Sequence, residues 1–419
     1  MKDTLVNEAY KVAKERYAQI GIDTEAAIEK LQQIHLSLHC WQADDVTGFE
    51  NPDGSLTGGI QATGNYPGKA RNIDELRQDI IKAKSLIPGT HRLNLHATYG
   101  DFGGKFVDRN EIEPKHFESW MQWGKENNMK LDFNSTSFSH PKSGMLTLSN
   151  PDKEIRDFWI EHTKRSRIIA DTMGKAQGDP CIMNLWIHDG SKDQTVNKLL
   201  YRQLLKDSLD EIFSQELPDM KDCLEAKLFG IGAESYTVGS FDFYMGYCAQ
   251  NNKIVTLDTG HFHPTESIAD KISSVLLFAP EVMLHVSRPI RWDSDHVTIM
   301  NDDVLDLAKE LVRSNPALDR VHIGLDYFDA SINRIGAYVI GSRATQKAVL
   351  QALLEPIEKL RSYEANDQLF QRLALLEEGK ALPWNAVYDE FCLRNNVPVG
   401  EDFIATIEQY EADVTSKRN

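Results

Sequence analysis

Eight short apolar or alternating runs punctuate the chain, at residues 35–41, 91–98, 129–135, 181–188, 223–230, 253–258, 281–287 and 320–326. Between them lie stretches with helical period, among them Ile73 to Leu86, His116 to Asn127, Ile155 to Met173, Leu199 to Phe213, Ile268 to Leu277 and Val304 to Val312. Short runs of period two or continuous apolarity read as strands, and recurrence at i, i+3 and i+4 reads as an amphipathic helix. Alternation of this length predicts a (β/α)8 TIM barrel, whose functional groups collect at the C-terminal ends of the strands. An open doubly wound sheet is the runner-up, but no Gly-x-Gly-x-x-Gly or Walker A sequence follows any run, which removes the main support for its nucleotide-binding forms.

At 419 residues and 41% hydrophobic content the chain can bury a large core, and single cores stop growing at about 250–300 residues. One barrel with an appendage is therefore expected: a catalytic domain over 1–341 that includes N-terminal helices, then the last barrel helix and a helical extension over 342–419. Ala348 to Leu360 is strongly amphipathic, and a break is expected at Glu377-Glu378-Gly379-Lys380. The extension carries no recognisable chemistry, and packing against a neighbouring subunit is its expected use. A formal charge of −17 with scattered Lys and Arg argues against nucleic acid, which needs a basic face. The five cysteines, Cys40, Cys181, Cys223, Cys248 and Cys392, are odd in number and widely spaced, so neither a disulfide framework nor a thiolate zinc site is indicated. With no bilayer-length apolar run and no signal peptide, a cytoplasmic protein free of membranes is expected.

The later runs end in metal-ligand types. Glu225 and Lys227 share a face of the fifth, Asp258 ends the sixth with His261 three residues on, His285 lies in the seventh ahead of Asp293 and Asp295, and Asp326 ends the eighth. Asp-x-Asp alone is common in solvated loops. Asp258 or Asp326 could merely cap a helix, His285 could be a satisfied core histidine, and Glu225 with Lys227 could be a weak surface pair. All of these holding on four consecutive strands is far less economical than one shared cause. Crowded carboxylates demand a counter-charge, and hard divalent cations supply it. Seven ligands suffice for two cations, with Asp258 suited to bridge them. Trp41, His96, Phe133 and Trp186, near the ends of the first four runs, would wall a pocket for a polyol ring. Each could equally be core filling, which is the favoured reading for Phe133, whereas His96, with no obvious local partner, could transfer protons. The long Gly- and Asp-rich stretch 42–70 leaves the first run and is expected to act as a lid.

The chain resembles the L-rhamnose isomerases. The likeness is carried by His39-Cys40-Trp41-Gln42 through Asp44-Asp45, Gly48-Phe49-Glu50-Asn51-Pro52, Gly58 to Arg71, Lys227 to Tyr236, Asp258-Thr259-Gly260-His261-Phe262-His263-Pro264-Thr265-Glu266, and His285-Val286-Ser287-Arg288-Pro289 with Arg291-Trp292-Asp293-Ser294-Asp295-His296. More distantly the layout is similar to D-xylose isomerase. The resemblance implies that Glu225, Asp258, His285 and Asp326 hold a structural divalent ion, with zinc, cobalt or magnesium as candidates. It implies that His261, Asp293 and Asp295, with Asp258 bridging, hold a catalytic manganese. A cytoplasmic homotetramer is implied as well.

The implied reaction interconverts L-rhamnose and L-rhamnulose by a hydride shift between C1 and C2. Lys227 would donate to developing charge at O1, Asp293 would orient a water that shuttles the proton between O1 and O2, and His96 would assist ring opening. Two other classes compete. A two-metal phosphodiesterase or repair endonuclease would need a basic groove that this acidic chain lacks, and a sugar-binding protein would have little reason for seven metal ligands.

Overall fold

The computed structural model describes residues 2–50, 56, 60, 62, 64–230 and 232–418. Part of the stretch expected as a lid, at 51–55, 57–59, 61 and 63, lies outside the described residues. Eight parallel strands close into a barrel: β1 Leu36–His39, β2 Arg92–His96, β3 Lys130–Asn134, β4 Cys181–Leu185, β5 Met220–Glu225, β6 Ile254–Asp258, β7 Val282–Val286 and β8 Val321–Leu325. Each pairs with its sequence neighbours, and β1 closes on β8. The strands are shorter than the apolar runs, and the fifth is displaced. Its run over 223–230 overshoots a strand that ends at Glu225, so Lys227 sits in the following loop and not on the strand.

The helices form the outer layer for local reasons that the sequence carries. Asn72 caps α3 (Ile73–Lys84) by accepting from Glu75 N–H at 3.0 Å, satisfying one of the donors a helix start leaves open. Asn301 does the same for α4 (Asp302–Ser314), whose Val304, Leu307, Ala308, Leu311 and Val312 form the buried stripe. Two helices precede β1: α1 (Lys2–Ala18), which buries Val6, Tyr10, Ala13 and Tyr17 along one face, and α2 (Thr24–Gln32). The expected helix His116–Asn127 begins as a 3-10 turn at Pro114–Phe117 before Glu118–Glu126.

Two expectations for the extension are corrected. The amphipathic stretch from Ala348 to Leu360 is not one helix: α5 (Arg334–Leu353) stops and a new helix starts at Ile357. Pro356 has no N–H to give and restricts the residue before it. The helix Leu369–Lys380 runs through Glu377-Glu378-Gly379 and ends before Pro383, so one glycine does not interrupt it.

The two ends of the barrel differ in kind. At the N-terminal end a cavity is lined by Arg92, Asp132, Asp179, Lys221 and His322. Its charges satisfy one another: Arg92 grips Asp132 at 2.8 Å and also Asp179, and Lys221 and His322 share Glu281. Such an end contributes stability. The C-terminal end keeps charges in surplus.

Candidate metal centre

The strand register explains why the acids meet. Asp258 at the end of β6 is the register partner of His285 on β7, and His285 is the partner of Gly324 on β8. Side chains of register partners point the same way. Gly324 leaves room there, since a Cβ would meet Met283 Cε and approach His285 Cδ2 to 3.1 Å. Gly260, after β6, likewise leaves room for Asp293 Oδ1, which a Cβ would displace. Its N–H donates to Asp258 Oδ1 at 2.5 Å.

Two groups of ligand atoms result, each with its atoms within 4.8 Å of one another: Glu225, Asp258, His285 and Asp326, and Asp258, His261 and Asp293. Asp258 belongs to both. In the first group His285 Nδ1 stands 3.3 Å from Glu225 Oε2 and from Asp326 Oδ2. In the second, His261 Nδ1 is 2.9 Å from the Ala226 carbonyl, leaving Nε2 at 3.1 Å from Asp293 Oδ2. A backbone carbonyl on one ring nitrogen with the other aimed at the site is how metal-binding histidines are held. Asp295 lies outside both tight groups but lines the same cavity, its backbone in the left-handed region at φ 47°.

The electrostatics are those of a site short of positive charge. Burial pushes the Asp258 carboxyl well up, and Asp326, Glu225 and Asp293 add to it. Asp295 is raised by burial and then by Asp293, Asp326 and Asp258. Burial would lower the histidines, but Glu225 and Asp326 raise His285, and Asp258 and Asp293 raise His261, well above the usual range. Protons are thus drawn to where a cation would sit. Glu225 Oε1, Asp258 Oδ2, Asp293 Oδ1 and both nitrogens of His285 are buried without a hydrogen bond, a costly state that a bound cation relieves. The oxygen and imidazole donors fit divalent ions such as manganese.

Around the acids lies a narrow cavity walled by Trp41, His96, Phe138, Trp186 and Phe328, an aromatic lining with a few converging polar groups of the kind small-molecule sites use. Lys227, though past the strand, folds back so that Nζ donates to Asp293 Oδ2 at 2.8 Å and lies 4.7 Å from the Trp186 ring. Trp41 lines the cavity and donates from Nε1 to Asp326 Oδ1 at 3.0 Å. The ring of His96 packs on that of Trp41, with centroids 4.6 Å apart. His96 Nδ1 meets Thr136 Oγ1 at 2.9 Å. Burial, with the nearby Arg109 charge, lowers its pKa to about 3, so His96 is a neutral imidazole with Nε2 left for a ligand.

The structure brings together all the residues singled out from the sequence except Phe133. That ring is fully buried and packs edge-on against Phe117 at 5.0 Å, outside the cavity. The next residue, Asn134, and Phe138 line the wall instead. Asn184 was missed by sequence reasoning. Its Nδ2 donates to Glu225 Oε2 and its Oδ1 accepts from Thr256 Oγ1 at 2.8 Å, fixing the first acid. Its signal was a strand-poor asparagine within the buried run Cys181–Leu185. Phe328 also lines the cavity and gave no comparable signal.

Comparison with known proteins adds to this geometry. The L-rhamnose isomerase (RhaA) family model matches residues 4–418. The L-rhamnose isomerase of Bacteroides thetaiotaomicron is 74% identical over 417 residues, covering 100% of both chains. That of Salmonella paratyphi B is 54% identical over 419 residues, covering 99% of this chain and 100% of its own.

Proposed function

The chain belongs to the L-rhamnose isomerase family, and from that premise we propose that it interconverts the aldose L-rhamnose and the ketose L-rhamnulose with the aid of two divalent cations. The observation that carries the reading is the pair of ligand groups sharing Asp258, set beside Lys227 in a cavity walled by aromatic rings. Glu225, Asp258, His285 and Asp326 would hold a structural ion (zinc, cobalt or magnesium), and Asp258, His261 and Asp293, with Asp295 beside them, a catalytic manganese. Such cations supply Lewis acidity at O1 and O2, so hydrogen can move between C1 and C2 without a redox cofactor.

The chain's own groups do the rest. Lys227 donates to the negative charge that develops at O1, an interaction strongest in the transition state. Asp293 orients the water that carries a proton between O1 and O2. His96, held neutral, exchanges a proton with the ring oxygen or anomeric hydroxyl as the sugar opens. Trp41, Trp186 and Phe138 bound the ring, while Val46, Ile60 and Phe328 give the cavity an apolar portion that suits the methyl of a 6-deoxy sugar. The hydrogen passes directly from C2 to C1: the carboxylates lining the cavity, Glu225, Asp293, Asp295 and Asp326, are all assigned to cations, which leaves none as a carbon base.

Two further assignments belong to the same reading. The described cysteines are buried and unpaired, and among the described residues no helix is long and apolar enough to cross a membrane, in keeping with a cytoplasmic enzyme. A homotetramer is supported by the extension over 342–419, whose Leu369–Lys380 helix buries no residue and exposes Leu369, Phe370 and Leu373. The decisive assay follows formation of L-rhamnulose after exhaustive chelation and again after manganese is restored. Turnover should vanish and return. Full activity after verified metal removal would refute the metal-dependent reading.

A further inference from the structure

The last residues of the chain reach back to the barrel mouth. Arg418 is buried, with Nη1 and Nη2 donating to the two oxygens of Asp79 on α3 at 2.6 and 2.9 Å. Tyr410 donates to the same carboxylate at 2.6 Å. A buried, bidentate guanidinium–carboxylate pair is among the stronger and more directional polar contacts. It fixes the end of the chain.

The tail lies directly on the segment that returns from the 42–70 stretch. Arg418 Nη1 also reaches the Gly68 carbonyl at 3.3 Å. Gly68 has φ +83°, and a Cβ there would stand 2.7 Å from the Thr415 carbonyl oxygen, so backbone packs on backbone. Glu411 accepts from Tyr66 Oη at 2.7 Å and from Asn333 Nδ2 at 2.8 Å.

From Tyr66 the contacts continue to the cavity. Arg334 donates from Nη1 to the carbonyls of Tyr66 and Pro67 at 2.7 and 3.1 Å, and from Nε and Nη2 to Asp45 at 2.9 and 2.8 Å. Asp45 and Val46 both lie in the left-handed region, at φ 58° and 62°. A β-branched residue seldom adopts that conformation unless its surroundings impose it. Val46 is buried and lines the sugar cavity. An unbroken series of polar contacts therefore joins the chain end to the cavity wall.

We propose that residues 410–418 form a strap that holds Tyr66–Ala70 and, through Arg334, the Asp45–Val46 turn against the cavity, making Arg418 and Glu411 positioning residues for sugar binding. The identity of the sugar rests on the isomerase reading above; the mechanical claim does not. Residues 410–418 touch no ligand atom of the metal centre, so the strap governs binding and leaves the chemical step alone.

The test uses the full-length enzyme and three variants, Arg418→Met, Arg418→Lys and Glu411→Ala. Arg418→Met should raise KM for L-rhamnose about tenfold with kcat within about twofold, the pattern of lost uniform binding. Discrimination against L-mannose, which carries a hydroxymethyl group where L-rhamnose has its methyl, should fall because Val46 is no longer held. Arg418→Lys should recover part of both. Independently of turnover, hydrogen exchange at the Tyr66 and Ala70 amides should quicken in Arg418→Met while α5 stays protected. If Arg418→Met does not fold, Glu411→Ala, which removes only the Tyr66 and Asn333 contacts, decides by the same readouts. Unchanged KM, unchanged selectivity and unchanged exchange would overturn the strap. A wild type inactive on L-rhamnose whose variants still show faster exchange would refute the sugar assignment and sustain the strap.

Discussion

Replacing Asp258 by asparagine should change the protein's stability in opposite directions with and without metal. Asp258 is the one residue in both ligand groups, whose atoms lie within 4.8 Å of one another. At that separation and an effective permittivity of about 20, each like-charged pair costs roughly 3.5 kcal/mol. Glu225, Asp326 and Asp293 repel Asp258, while His261 and His285, when protonated, attract it, leaving about one pair uncompensated. Against this, the variant weakens the bond from Gly260 N–H, a charge-assisted contact worth about 1.5–3 kcal/mol. The metal-free variant should thus be more stable than wild type by about 0.5–2 kcal/mol. The sign with pH follows from the raised carboxyl. The unfolded chain ionises this group above about pH 4, whereas the metal-free fold resists ionisation. The advantage of asparagine is therefore present at neutral pH and disappears as pH falls below the ordinary carboxylate range. With manganese at about 100 Kd, wild type gains roughly 2.7 kcal/mol per filled site, and the variant, which lacks the shared ligand, gains little. Thermal melts in chelator and in manganese, with metal content measured on the same samples, test both halves. A variant less stable than wild type in chelator, or one that still binds two ions per chain, would refute the shared-ligand reasoning.

Lys227→Met should lower kcat by about 10²–10³, the usual loss for one oxyanion donor, with cation content intact; an effect confined to KM would reduce Lys227 to a ground-state contact. Trp41→Phe removes the indole donor to Asp326 and should weaken the Glu225/Asp258/His285/Asp326 site by about 10–100-fold while the other ion stays bound, which metal titration followed by calorimetry would show. L-Rhamnose labelled with deuterium at C2 should yield L-rhamnulose labelled at C1 before equilibrium is reached. Washout into water during single turnover would reject the direct shift and require a carbon base.

The barrel could be read from the sequence because it is a matter of period. Eight buried runs alternating with amphipathic stretches have few other solutions, and a parallel strand buried on both faces shows its apolarity openly. Where each strand stops is set by other forces. The fifth ends at Glu225 although the run continues, because the following residues leave the ladder to bring Lys227 over Asp293. Hydropathy alone does not register that demand. The proline at 356 did outrank an amphipathic pattern that ran across it, and the general rule on proline would have located that break.

At the site, the charged ligands were legible because a charge in a strand-end position has few structural uses, and several together have fewer. The neutral groups that orient them were not. Asn184, Asn134 and Phe138 are of types found throughout any barrel, and only the register that sets Asn184 near Glu225 gives it a task. The Phe133 expectation shows the limit of position along a run. Adjacent residues on a strand face opposite sides, so the side chain after Phe133 turns into the cavity while Phe133 packs under Phe117. Alternation alone leaves open which of the two parities faces inward, and one known inward residue on the same strand resolves it. For β3 that residue is Asp132, which accepts from Ser37 Oγ at 2.7 Å and from Arg92 inside the barrel. Counting two residues on from Asp132 reaches Asn134. A polar residue that lies in phase with a buried charge on the same strand is therefore the better guide to a cavity wall than the largest aromatic nearby.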